Sequence, residues 1–167
     1  WLPDWFSRDC TDAGPVIDSA GPVEQSSDPL HRARNHSDKV VARIRAIPPG
    51  GNRFDLPEEH QLACHSNLKA RHATTVYGRI RVDAPAPTMT TRCTSPSCGA
   101  FVHPTEHRAI SLREAALLQT FPIDYRFEGY HQEIERQIGN ALPVRMAEAL
   151  GLVVDQILKC SHQPSPT

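Results

Sequence analysis

QIGNALP, residues 137–143, stands between a charged segment and a long amphipathic run. Gly139 permits close backbone approach, and a helix mouth gathers free N–H groups that favour anionic or polar ligands. The same string also serves as a well-made helix entry, and the local residues do not separate the two readings. Beyond it the spacing predicts a final helix, with Pro143 at its favoured first position. Met146, Leu150, Val153 or Val154, and Ile157 mark an apolar stripe on that helix. Such a stripe packs against something substantial.

Working towards the N-terminus, Ser111-Leu112-Arg113-Glu114 reads as a capping box. The serine hydroxyl can accept the third-residue N–H, and Glu114 can reach back to the Ser111 amide. Leu112, Ala115, Ala116 and Gln119 continue that helix, and Phe121-Pro122 ends it. Positions 74–82, TTVYGRIRV, alternate with period two: Val76, Ile80 and Val82 on one face, Tyr77, Arg79 and Arg81 on the other. A half-buried strand is expected, with its Tyr and Arg face either along a nucleic-acid backbone or merely solvated. Pro85 and Pro87 break it, and PTMTTR then offers Thr88, Thr90, Thr91 and Arg92 on a loop. Earlier still, Ser37 precedes DKVVARIRAI, where Val40, Ile44 and Ile47 recur at helical spacing until Pro48-Pro49-Gly50-Gly51 stops the run. Residues 1–30 read as loop or linker, and the Pro/Ser-rich tail from Ser161 as frayed.

Charge is unevenly spread over the 167 residues, although the net value is −1. Residues 1–30 carry one Arg against six acids, residues 31–113 carry 13 Lys and Arg against six, and residues 114–167 carry four against seven. A basic middle between acidic ends suits a polyanion on one face, or a solvated basic surface. Arginine outnumbers lysine 15 to three, and its planar fork matches phosphates and guanine edges. There is no apolar run of membrane-spanning length and no leader pattern at the front, and Trp1 in place of methionine reads as a piece or a processed product. Five cysteines, an odd count, fit a reduced cytosolic setting.

Cys93, Cys98, His103 and His107 form C-x4-C-x4-H-x3-H, which is cramped for zinc because structural sites usually separate the ligand pairs more widely; no metal is expected. No Gly-rich phosphate loop is present, and no Ser, Cys or Thr sits in a defensible nucleophile motif. From the residues alone this is a globular domain with a basic face, not a self-sufficient enzyme.

Two blocks together resemble the C-terminal part of the DNA (cytosine-5) methyltransferases. RAISLREAALLQTFPIDYRFEG, Arg108 to Gly129, is similar to the family's ninth conserved motif, and QIGNALP to its tenth, where a second proline usually stands in place of Val144. DPLHRARNHS, RIRAIPPGG, VYGRIRVDAPAPTMTT and GAFVHP resemble the target-recognition region of the bacterial branch. The resemblance implies that Gly139, Asn140 and Ala141 lie beside S-adenosylmethionine. It makes Arg108, Arg113, Glu114 and Gln119 structural organisers rather than catalysts. It places DNA contacts on Tyr77, Arg79, Arg81, Thr88, Thr90, Thr91 and Arg92, against double-stranded DNA with a flipped cytosine. The family's Pro-Cys-Gln nucleophile, Glu-Asn-Val acid and Phe-x-Gly-x-Gly cofactor loop do not occur in this sequence, so no catalytic residue is expected here.

The fold expectation is α+β: a loop-rich recognition lobe with short strands, then two helices that pack on a missing Rossmann-like domain. Residues 1–30 form a linker, 31–107 the recognition region, 108–160 the returning segment and 161–167 the tail. The resemblance implies a partner, an N-terminal catalytic domain or a complementary chain, in a bacterial cytoplasm and away from membranes. A stand-alone, catalytically dead DNA-binding module is the alternative; a small zinc module is a third.

Overall fold

The computed structural model describes residues 12–66 and 73–161. Residues 1–11 of the expected linker, Cys10 among them, and the tail past Ser161 lie outside them. Six α-helices are described: α1 Ala13–Asp18, α2 Asp38–Ala46, α3 Ala63–Ser66, α4 Leu112–Leu118, α5 His131–Asn140 and α6 Val144–Ser161. Short 3-10 turns and loops join them. Among the described residues no helix is long and apolar enough to cross a membrane.

The expected strand over 74–82 does not form. Two isolated bridges stand in its place, Arg79 parallel to Val102 and Val102 antiparallel to Ala109. Tyr77 adopts φ 54°, in the left-handed region that a tyrosine seldom visits. That turn interrupts the period-two alternation, so Arg79 and Ile80 are both buried while Val82 is half exposed. Gly78 is required at this corner: a Cβ there would stand 2.6 Å from the Ala100 Cβ.

The main core joins α1, α4 and α5 through Ile17, Leu112, Ala115, Ala116, Ile134 and Ile138, with Ile80, Met89, Cys93, Phe101 and Ile110 from the loops. Residues 13–18, read as linker, form a helix because Ala13 and Ile17 lie one turn apart and are both buried. A smaller cluster holds Ile47, Leu56 and Tyr77, with Val40 of α2 against it.

Helix α4 begins as its sequence dictates. Ser111 Oγ accepts the Glu114 N–H at 3.1 Å, and Glu114 Oε2 accepts the Ser111 N–H at 2.7 Å. His31, fully buried, extends the cap. Its Nε2 lies 2.9 Å from the Gly21 carbonyl, so that nitrogen carries the proton, and Nδ1 accepts the Ser111 hydroxyl at 2.8 Å. Ser111→Ala removes the cap acceptor and leaves His31 Nδ1 unpaired. We expect it to cost about 2 kcal/mol in urea unfolding, at the upper end for a lost N-cap.

Helix α6 leaves the body of the protein. Ala149 is buried, but Val144, Met146, Leu150, Leu152, Val154, Ile157 and Leu158 are between 39% and 61% exposed. Seven large apolar side chains in water on one helix form an uncovered surface.

Candidate nucleic-acid and cofactor interface

Gln137–Asn140 is the last turn of α5, and Ala141–Pro143 links it to α6. The motif is therefore a helix exit joined to a helix entry, not a helix mouth alone. Gln119 braces the joint: its Nε2 donates to the carbonyls of Ile138 at 2.9 Å and Ala141 at 3.0 Å. The first amides of α6 are already used, Val144 N–H by the Gln119 carbonyl and Arg145 N–H by Thr120 Oγ1. A ligand at this point meets the exposed Asn140 side chain, which makes no hydrogen bond among the described residues.

Gly139 does require close approach, but to protein. A Cβ on it would stand 2.1 Å from the Thr90 carbonyl oxygen and 2.4 Å from the Thr91 nitrogen. The space beside Gly139 is filled by the Thr88–Arg92 loop. As a test of fit for S-adenosylmethionine, Asn140 offers a free polar edge, Ala141 a half-buried small wall, and Gly139 no open side. Of the three, Asn140 and Ala141 are open to a ligand and Gly139 is not.

The loop itself is held at Met89 and Cys93, on either side of its exposed middle. Met89 and Cys93 are buried in the main core, which turns Thr88, Thr90, Thr91 and Arg92 to solvent. Arg81 is exposed too, paired with Asp83 at 3.1 Å, and an exposed pair of this kind yields readily to another anion.

Tyr77 and Arg79, expected on the same exposed face, are 3% and 5% exposed. The Arg79 guanidinium donates to the carbonyls of Ile44 (2.8 Å), Ile47 (3.2 Å), His103 (2.6 Å) and Glu106 (2.8 Å). Burial lowers its pKa from the usual arginine value. Its donors tie α2 to the 103–106 loop and are spent within the protein. Tyr77 lies edge-on to the His65 ring at 6.0 Å. Neither side chain can reach a duplex in this conformation, and Tyr77's left-handed backbone is the reason the alternation misleads.

The start of α4 is braced by buried charge. Arg108 donates to both oxygens of Glu114 at 2.8 and 2.7 Å and also to Glu106 at 2.7 Å. Burial raises the Glu114 pKa, but the Arg108 fork more than offsets it and holds the carboxyl below the usual range. Its hydrogen bonds to Arg108 likewise lower Glu106. His103 accepts the Glu106 N–H on Nδ1 at 3.0 Å, which turns Nε2 toward Glu106 and Glu114 at 3.7 and 3.6 Å. Burial, with the Arg108 charge, lowers the His103 pKa. Arg113 pairs with Asp28 and donates to the Tyr125 carbonyl at 2.9 Å.

No described thiol is set up as a nucleophile. Cys93 is fully buried, and burial, with the Glu135 charge, pushes its pKa up to about 12, the opposite of activation. Cys64, Cys98 and Cys160 are exposed and free. The Cys93, Cys98, His103 and His107 quartet does not converge, and no group of three His, Cys, Asp or Glu among the described residues is placed to hold a metal.

His31 and Glu135 escaped the sequence reading. Glu135, 2% exposed, accepts both the N–H and the hydroxyl of Thr94, at 2.8 and 2.6 Å, and so ties α5 to the chain just after the Thr88–Arg92 loop. A glutamate between Ile134 and Ile138 on a charged helix carries no local sign of this, because its partner comes from a distant loop.

A profile described as C-5 cytosine-specific DNA methylase matches residues 18–156. The chain is 42% identical over 140 residues to Type II methylase M.HgiDII of Herpetosiphon aurantiacus, covering 81% of this chain and 40% of that protein. It is 36% identical over 131 residues to Type II methyltransferase M.BbvI of Brevibacillus brevis, covering 77% and 33%. It is 36% identical over 105 residues to mouse DNA (cytosine-5)-methyltransferase 1, covering 60% and 6%. The matches span 40% or less of these relatives' length. With the profile running from α1 almost to the end of α6, the chain belongs to the C-5 cytosine-specific DNA methylase family.

Proposed function

We propose that this chain is the C-terminal portion of a bacterial-type DNA (cytosine-5) methyltransferase. Its part is to recognise the DNA target and to close the rim of the methyl-donor pocket, while a separate half carries the nucleophile. The observation that carries this reading is α6: an apolar helix exposed along its length, directly after the Asn140–Pro143 link. A helix of that composition gains by docking on a further domain, here a Rossmann-like catalytic one. The share of its relatives that the chain matches leaves room for that domain.

In this division of labour, residues 31–107 meet double-stranded DNA and 108–160 return to the catalytic half. The thiolate that adds to C6 of a flipped cytosine comes from that other half. S-Adenosylmethionine, when bound, supplies an electrophilic methyl group for C5. Asn140 offers a hydrogen bond at the rim of its pocket, and Gly139 holds the loop Thr88–Arg92 against α5 so that the DNA-facing and donor-facing elements keep one spacing. Thr88, Thr90, Thr91, Arg92 and Arg81 form the DNA-facing set.

The test is reconstitution. The purified chain is mixed with a catalytic half containing Pro-Cys-Gln, and methyl transfer to duplex DNA is followed. We expect no transfer by either piece alone and transfer by the mixture. Val154→Lys on α6 should leave the chain's own stability within about 0.5 kcal/mol, as at any exposed site, yet prevent reconstitution. Methyl transfer by the chain alone would sink the proposal.

A further inference from the structure

A cleft of about 290 Å³ lies between the Thr88–Arg92 loop and α5. Arg34, Arg92 and Arg136 line it, and all three are exposed. None of the three guanidiniums has a hydrogen-bond or ion-pair partner among the described residues. Two carboxylates share the lining, Glu133 accepting the Tyr130 N–H at 2.8 Å and Glu135 accepting Thr94, so three positive charges face two negative ones. The surplus positive charge favours entry of an anion.

The helix geometry explains why the arginines meet. Gln132, Glu135, Arg136 and Gly139 fall at i, i+3, i+4 and i+7 on α5, so they share one face. Gly139 brings that face into backbone contact with Thr90 and Thr91, which sets Arg92 beside Arg136. Arg34 closes the third side from the chain ahead of α2.

We infer that this cleft is an anion-binding site for one phosphodiester of duplex DNA, extending the contact of the Thr88–Arg92 loop onto α5. Arg34 and Arg136 thereby become positioning contacts for the duplex, insensitive to its sequence. The inference rests on the reading that this chain meets DNA, and it adds a surface the loop alone does not provide.

The experiment measures duplex binding by the full chain across a salt series. The double variant Arg34→Gln/Arg136→Gln is compared with Arg145→Gln, an exposed arginine on α6 outside the cleft. We expect the double variant to bind roughly tenfold more weakly at low salt, as for loss of hydrogen bonds to a charged group, equally for unrelated sequences. Its salt slope should fall by about 0.9, the loss of one phosphate contact, while Arg145→Gln matches the unmodified chain. An unchanged slope in the double variant, with Arg92→Gln lowering it, would overturn the cleft and leave the DNA reading intact. No duplex binding by the unmodified chain at any salt would overturn both. Inorganic phosphate bound as tightly as the duplex would assign the cleft to a free anion and overturn the DNA-backbone assignment.

Discussion

Arg108→Met lowers the unfolding free energy by about 3–5 kcal/mol, the range for removing one partner of a buried ion pair. The arginine is 8% exposed and Glu114 is 1% exposed, so the substitution leaves a carboxylate in the core with the Ser111 amide and, at 3.6 Å, His103 Nε2 to face. Glu106 loses its arginine partner as well. Against a total stability of about 5–15 kcal/mol this is a large fraction, readable by chemical unfolding. The pH dependence follows from the same cluster. Glu114 and Glu106 have pKa values lowered by folding, so their contribution is complete above the ordinary value of 4.5 and is lost as pH falls through their folded values. His103, also lowered, is protonated first in the unfolded chain, so stability begins to decline as pH falls below about 6.5. All three groups make the unfolded state bind more protons, and all three slopes have one sign: stability rises with pH. In Arg108→Met the two carboxylates and His103 lose the charge that depresses their pKa values, so folded and unfolded values converge and stability falls less steeply with acid. An acid limb of unchanged steepness would show that Arg108 does not set these titrations.

Gly139→Ala should lower the melting temperature by about 4–12 °C. Alanine in a helix interior is worth about 1 kcal/mol over glycine, so by propensity alone the change would stabilise. Here the added methyl meets the Thr90–Thr91 peptide at 2.1–2.4 Å. Backbone cannot rotate aside as a side chain does, so α5 or the recognition loop must move. Overpacking of this kind costs about 1–3 kcal/mol and occasionally more, and with a rigid neighbour we place the net loss at about 2–3 kcal/mol. For a chain of this size that converts to the stated shift. Gly151→Ala on α6 is the matched control, since nothing lies within 4 Å of its Cβ position. It should stabilise by up to about 1 kcal/mol. Equal responses at the two glycines would mean the contact with Thr90 carries no weight.

Much of the chain is legible without its fold because the relevant physics is local. The α2 stretch follows from apolar spacing and the Pro-Pro stop, and the Ser111–Glu114 cap closes within one helical turn. The apolar stripe of α6 and the paired motifs at 108–129 and 137–143 are likewise written in consecutive residues. Short strands are not: the tract 74–82 has a strand's alternation, but Tyr77 turns left-handed and only one of its residues pairs.

What the sequence by itself determined is where α2 and α4 begin and end, where α6 begins, and which family the residues resemble. Only the tertiary structure decided which arginines face solvent. Arg79 and Arg81 are two positions apart with the same chemistry, yet one is spent on four carbonyls in the core and the other stands in solvent. Only the fold, too, decided what Gly139 approaches, because the Thr90–Thr91 peptide that fills its space comes from a distant loop. Burial and close approach are set by partners far along the chain, and no local pattern of residue types encodes them.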